Sequence, residues 1–231
     1  MEFNLEKYHL KSSSLFDSLT IDETKKIKKG IIRKEYLKGE CLFKENSFSK
    51  GVYLIKKGKV KIFQSNNDGK EGIVYIYKKG DYFGYRPILA EEPHPVSAVA
   101  MDHVIVSFIP KELFMDIIVT SSALAKELII NLSKEFSVWI NKMTIFSQNS
   151  VKEKVALSLL ILNKVYSRTE NSPKNVYITI NREDFAAFVG TAKETLVRML
   201  RIFKDEGIIS TKGTKITIVK HRALLKMVEN M

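Results

Sequence analysis

Asn181-Arg-Glu-Asp-Phe-Ala-Ala-Phe-Val-Gly190-Thr-Ala-Lys-Glu-Thr-Leu-Val-Arg-Met-Leu200 decides how the chain is read. Asn181 is a helix-capping residue type, and Asp184 puts an acid in the first turn, where the helix dipole favours one. Ala186 and Ala187 are small enough for a second helix to cross closely. Gly190 stops the first helix where a tight turn is needed. Thr191 and Glu194 have the spacing of a capping box, which predicts a second helix from Ala192 to Glu206. Two short helices joined by a glycine turn make a helix-turn-helix.

The second helix has two faces. At about 100° per residue, Leu196, Leu200 and Phe203 fall together, and Glu194, Arg198 and Arg201 fall roughly opposite. An apolar anchor with acid and base pointing outward suits insertion into a DNA major groove. Arg198 can donate twice to guanine O6 and N7, and Glu194 can accept from cytosine N4. Lys193, Thr195 and Arg201 fit phosphate contacts, which give affinity without sequence information. Two blander roles stand beside these: Glu194 as the far half of a cap, and Arg198 as its partner one turn on.

The flanks agree with the motif. Downstream, IISTKGTKITIV (Ile208 to Val219) predicts a hairpin turning at Lys212-Gly213, a wing that carries Lys212 and Lys215 toward phosphate. Upstream, VYITI reads as a short strand, preceded by a polar loop from Ser167 to Asn175. Before that loop, Ser150 and Glu153 form a capping box opening a helix whose VALSLLIL is buried. Charge follows the same division. Residues 151–231 hold 15 Lys+Arg against 8 Asp+Glu, and residues 1–150 hold 23 against 18. The whole chain, 231 residues at formal charge +12, calls for a polyanionic partner.

From Ile31 to Ile109 the rhythm is of short strands and glycine turns, with Asp68-Gly69 a hairpin signal, which predicts a barrel, roll or sandwich. Ile21 to Lys29 reads as a short basic helix. From Lys111 to Phe146 the rhythm is helical. Leu128, Leu132, Phe136, Trp139, Met143 and Phe146 follow at intervals of 4, 4, 3, 4 and 3. That stripe suits either packing on the helix's own domain or, the preferred reading, a two-stranded coiled coil holding a homodimer. Boundaries follow at 1–110 for the roll, 111–148 for the long helix and 149–231 for the winged part.

In this order the chain resembles the Crp/Fnr family of bacterial transcription regulators. Val189 to Arg198 carries the family's recognition-helix signature. Ile55-Lys-Lys-Gly58-Lys-Val60 and Gly80-Asp81-Tyr82-Phe83-Gly84 carry the roll's. The resemblance implies an α+β architecture: an N-terminal β-roll (jelly roll) like a cyclic-nucleotide-binding domain, a long dimer helix and a winged helix-turn-helix. It also implies a homodimer on a palindromic DNA operator, contact with RNA polymerase, and Glu194 and Arg198 as base readers. Members that bind cyclic AMP carry a glutamate after the roll's glycine motif and an arginine before a Ser-Ala pair. Here those places hold Tyr85, after Gly84, and Val96, before Ser97-Ala98. A cyclic phosphate against valine lacks its charge-assisted partner. Arg86 can serve as a substitute anion holder or as an ordinary surface arginine. Trp139 is expected near the nucleotide base, where its indole fills the space.

The residue inventory narrows the remaining roles. One cysteine, Cys41, leaves no thiolate set for an iron–sulfur cluster or a cysteine zinc site, and it is expected as a buried strand residue. Four scattered histidines weigh against a metal centre, a haem ligand set and catalysis. No cofactor is expected, and the roll is either vestigial or holds an unidentified small effector. No targeting segment or 18-residue apolar run occurs, so the expected location is the cytoplasm, away from membranes. The competing function is a ligand-sensing roll whose basic C-terminal domain docks on protein or RNA.

Overall fold

A computed structural model describes residues 3–10, 19–167 and 176–229. Residues 168–175, most of the expected polar loop, lie outside the described residues. The chain divides into two compact units: residues 11–136, and residues 137–231 together with 1–10.

The first unit is a roll of two four-stranded antiparallel sheets. One sheet runs β1 (Ile32–Tyr36), β8 (Val104–Pro110), β3 (Gly51–Lys57), β6 (Tyr82–Phe83). The other runs β2 (Cys41–Phe43), β7 (Ser97–Ala100), β4 (Val60–Ser65), β5 (Glu71–Tyr77). β4 and β5 form the hairpin expected at Asp68-Gly69. Alternation along β3 assigns its side chains to two cores. Tyr53 and Ile55 point into the roll with Val60, Ile62, Phe83, Ala98, Val106 and Phe108. Val52 joins a second cluster with Ile27 of α1 (Ile21–Gly30), Ile88 of α2 (Arg86–Ala90) and Phe114 and Ile117 of α3 (Lys111–Thr120). β3 is therefore buried on both faces, which explains its unbroken apolar run. Cys41 is in a strand as expected, but exposed. β2 pairs only with β7, and period-two alternation turns Leu42 inward and Cys41 outward.

The helical region is interrupted. Ser121 takes an extended backbone (φ −105°, ψ 97°) between α3 and α4 (Ser122–Gln148), and its hydroxyl accepts from the Leu124 amide at 3.3 Å. The positions 110 and 148 are the ends of β8 and α4, while contact grouping divides the chain inside α4. α4 is not a segment of its own; its first part belongs with the roll and its last part with the C-terminal unit. The first ten residues also belong there, where Asn141 Nδ2 donates to the Lys7 carbonyl at 3.0 Å.

In the second unit, α5 (Val151–Tyr166) opens on the expected Ser150–Glu153 capping box. Its run from Val155 to Leu162 is buried, as are Phe185, Leu196, Leu200, Phe203, Ile216 and Leu224, and α5 packs against β9 and the three helices that follow it. β9 (Ile178–Thr179), β10 (Ile209–Lys212) and β11 (Lys215–Ile218) form a three-stranded sheet in the order β10-β11-β9. α6 (Arg182–Val189), α7 (Lys193–Asp205) and α8 (His221–Val228) complete the unit.

Candidate nucleic-acid interface and effector cavity

The helix-turn-helix is built as the sequence predicts, with one change. Asn181 caps α6, its side chain accepting from the Asp184 amide at 2.7 Å. Gly190 takes the left-handed conformation (φ 71°), which favours glycine, and a Cβ there would stand 3.0 Å from the Phe146 ring, a tight contact that the ring would have to ease. The Thr191–Glu194 capping box does not form. α7 starts at Lys193 with Ala192 as its N-cap and no side-chain cap bond. The reason is the tightness of the turn. The Thr191 amide is used to close α6 on the Ala186 carbonyl at 3.1 Å, and the chain extends through Ala192 before the next helix starts.

Removal of that cap frees Glu194, which is exposed. Arg198, one turn on, is also exposed and has no hydrogen bond or ion pair among the described residues. The blander pairing of these two side chains is therefore not made. Leu196, Leu200 and Phe203 are buried at 0, 4 and 0% exposure and lock the helix from behind. The outward face also carries Val197, an exposed valine between Glu194 and Arg198. Sequence reading missed it, although a large apolar residue outside the anchor positions was a legible signal.

The proposed phosphate contacts differ in freedom. Lys193 is held by Glu183 of α6, and that pair raises its pKa. Arg201 stands 3.9 Å from Asp205 in an exposed i,i+4 pair, a weak restraint. Thr195 is half-buried. Lys212 and Lys215 are exposed and face each other across the hairpin, so the turn is Gly213-Thr214, one residue later than expected. Arg182, not singled out from the sequence, positions this wing. Its Nη2 donates to the Gly213 carbonyl at 3.0 Å, tying the wing tip to the first residue of α6.

The expected dimer stripe separates into two faces. Leu124, Leu128, Asn131, Glu135, Val138, Lys142 and Ile145, spaced 4, 3, 4, 3, 4 and 3, are the buried side of α4. Leu128 thus belongs to the roll's own core and not to the stripe. Leu132 and Trp139 are half-buried, and Phe146 lies against Gly190. The large side chains left exposed are Ile129, Phe136, Ile140, Met143 and Phe146, at 64, 67, 48, 68 and 43%. Ile129 and Ile140 were missed because the stripe was traced from Leu128, the wrong side of the helix.

In the roll, a cavity of about 130 Å³ is lined by aromatic and aliphatic side chains (Phe43, Ile62, Tyr77, Phe83, Val96), by Gly84, Tyr85, Arg86, Pro87 and Ala90, and by Glu92, Pro93, His94 and Pro95. Gly84 (φ 89°) turns the chain into it. Tyr85 and Arg86 reach it as expected, but Ser97 does not, its hydroxyl accepting from the Glu45 amide at 3.0 Å. Trp139 does not line it either. The α4 residue that meets this region lies one helical turn earlier, Glu135. Its carboxylate accepts from the Tyr85 hydroxyl at 2.7 Å and stands 3.6 Å from Arg86 Nε. Burial raises the Glu135 pKa against the opposing pull of Arg86, and burial with the neighbouring carboxylate drives the Tyr85 phenol far up. His94 stacks on Phe43 at 3.7 Å, and desolvation lowers its pKa to about 4. A second cavity, beside Lys142 and Phe188, measures about 20 Å³, room for one water. Among the described residues there is no group of His, Cys, Asp and Glu able to hold a metal, and no helix long and apolar enough to cross a membrane.

Residues 33–121 match the cyclic nucleotide-binding domain model, and residues 153–227 match the Crp-like helix-turn-helix domain model. The fumarate and nitrate reduction regulatory protein of Vibrio cholerae is 28% identical over 195 residues, covering 84% of this chain and 78% of that protein. The anaerobic regulatory protein of Haemophilus influenzae is 27% identical over 195 residues, covering 84% and 76%. Among solved structures, FixK2 from Bradyrhizobium japonicum superposes with a TM-score of 0.76 at 20% identity, covering 85% of this chain and 96% of its own. The c-di-GMP responsive regulator CLP of Xanthomonas campestris gives 0.73 at 17%, covering 86% and 99%. At these identities the structural likenesses speak for the fold.

Proposed function

The chain belongs to the Crp/Fnr family of transcription regulators and is not an enzyme, and from that premise we propose that it binds a palindromic DNA operator as a homodimer under the control of a small effector other than cyclic AMP. The observation that carries this reading is the outward face of α7, where Glu194 and Arg198 stand exposed and unpaired with each other above a fully buried leucine and phenylalanine anchor. A guanidinium kept free of intramolecular partners pays no exchange cost when it donates to a guanine edge. Glu194 accepts from cytosine on the same base-pair step, and Val197 offers an apolar contact to a thymine methyl. Lys212 and Lys215 on the wing, with Arg201, Thr195 and Lys193 on α7, hold backbone. Lys193 must first leave Glu183.

The homodimer reading rests on Phe136, Ile140 and Met143, exposed along one side of α4. Burying each large side chain is worth about 1.5–3 kcal/mol, and a symmetric seam counts each twice. Phe136→Glu is expected to weaken dimerisation by on the order of 3 kcal/mol. Analytical ultracentrifugation showing an undiminished dimer would refute the seam. With the dimer formed, the two α7 helices enter successive major grooves about 34 Å apart. Contact with RNA polymerase then completes the regulatory role.

Control by something other than cyclic AMP is supported by Tyr85 and Val96, both buried where a ribose hydroxyl and a phosphate would need a carboxylate and a guanidinium. Selection of randomised duplexes by the purified chain tests the proposal. A two-fold symmetric consensus with a G·C pair in each half-site is expected. Arg198→Ala relaxes the choice at that pair, and Glu194→Gln relaxes it at the cytosine. Enrichment of no symmetric sequence refutes the operator reading.

A further inference from the structure

We infer that the roll cavity receives a small aromatic carboxylic acid, its ring lying among Phe43, Tyr77, Phe83 and Val96 and its carboxylate taking Arg86 away from Glu135. This names the effector class for the control proposed above and rests on that reading.

Size comes first. The cavity measures about 130 Å³. An apolar protein cavity of about 150 Å³ stays dry and takes up a benzene ring. One six-membered ring therefore fits. Lining comes second. The Tyr77 and Phe83 rings are stacked at 4.9 Å, Phe43 lies tilted 6.1 Å from Phe83, and Pro93 and Pro95 also line the cavity. Such walls offer ring faces and edges, which favour a flat aromatic guest over an aliphatic one. An acetate-sized anion leaves this lining uncovered.

The polar end comes third. Arg86 is the one Lys or Arg that lines the cavity; Glu92 also lines it, so the anion must sit toward Arg86, and His94, whose pKa is lowered to about 4, adds no charge at neutral pH. The Arg86 side chain is 41% exposed, and its sole partner among the described residues is Glu135, at 3.6 Å, too far for a hydrogen bond. Most of its five N–H donors are thus unspent. Glu135 is 8% exposed, one carboxylate oxygen is bonded to the Tyr85 hydroxyl, and the other, Oε2, has no hydrogen bond. A free carboxylate able to take the guanidinium fork in two parallel bonds outcompetes this loose pair. Occupancy then leaves Glu135 with Tyr85 alone. Because Glu135 sits on α4 directly before Phe136 of the exposed seam, a ligand that redistributes Arg86 acts on the helix proposed to hold the dimer.

Isothermal titration calorimetry of the full-length chain with phenylacetate, benzoate, benzyl alcohol, acetate and cyclic AMP tests this. Phenylacetate or benzoate is expected to bind roughly tenfold or more tightly than benzyl alcohol or acetate. Arg86→Gln should abolish that margin, and Arg86→Lys should keep part of it, since charge remains and the fork is lost. Glu135→Gln is the discriminating variant. Removing the competing carboxylate should tighten aromatic-acid binding several-fold, whereas a merely structural glutamate yields no gain. Thermal melts of each variant verify that the roll is folded. Equal binding of benzyl alcohol, preference for cyclic AMP, absence of aromatic-acid binding or the lack of any gain in Glu135→Gln each overturns the inference. A chain that selects symmetric duplexes yet binds no aromatic acid overturns this inference alone. A chain that binds the acid but selects no duplex overturns the operator reading.

Discussion

The outward face of α7 and the roll cavity both present an arginine and a glutamate, but in opposite environments. On α7, Arg198 and Glu194 are exposed, are not paired with each other, and are supported from behind by apolar burial. In the roll, Glu135 is buried, shares a hydrogen bond with Tyr85 and stands beside the half-exposed Arg86. The first arrangement contributes almost nothing to stability and keeps its donors for a partner outside the molecule. The second is part of the fold, and any ligand must compete with it. Function on α7 is therefore separable from folding, while in the roll the two are coupled.

Four measurements put that contrast at risk. The largest effect is expected from the anchor behind the reading face. Phe203→Ala empties a fully buried site and should destabilise the C-terminal unit by about 3–5 kcal/mol in denaturant unfolding. Arg198→Ala, in the same helix, should leave stability within about 0.5 kcal/mol while costing roughly 1–3 kcal/mol of operator binding per half-site. A large loss of stability in Arg198→Ala would end the separation.

Next comes the roll. Tyr85→Phe strips Glu135 of its one hydrogen bond and should destabilise the first unit by about 1–3 kcal/mol in the same measurement. A silent substitution would mean that water satisfies the carboxylate equally well.

The third test is pH. His94 is 2% exposed and its pKa lies at about 4 instead of 6.5. Its folded form is the poorer proton binder, so its contribution is complete above pH 6.5 and is lost as pH falls toward 4. Glu135, whose pKa burial raises, contributes with the opposite sign as it takes up a proton, so the comparison must be differential. Relative to His94→Gln, the natural chain should lose roughly 1–3 kcal/mol between pH 6.5 and 4. Parallel stability curves would show that the imidazole is not protected from protonation.

The smallest effect separates two caps that look alike in the sequence. Asn181→Ala should cost about 1 kcal/mol, because its side chain bonds the Asp184 amide. Thr191→Ala should cost no more than a few tenths, because Thr191 serves through its backbone amide. Equal costs in thermal melts would restore the capping box at Thr191.

Much of this was legible because much of it is local. Ser150 with Glu153, Asn181 with Asp184, the glycine at 190 and the Asp68-Gly69 hairpin are each decided within a few residues, and each formed where expected. The buried face of α7 followed from helical spacing alone, since its alternative face carries charges. The Thr191 cap failed because two helix ends compete for the same short turn, and the amide that closes the first helix is not free to begin the second.

The order of parts and the outward chemistry of α7 are set locally: propensity, capping and a strongly one-sided charge pattern fix them within a few residues. Which side of α4 faces inward depends instead on what folds against it. That helix carries apolar residues on more than one side, and a period near 3.6 does not say which of two stripes meets a core. The roll chose Leu124 and Leu128, drew Glu135 in after them, and left Phe136, Ile140 and Met143 outside. The Tyr85–Glu135 bond joins residues fifty positions apart, a pairing that no spacing rule contains, because it exists only after two sheets and a helix have closed around it.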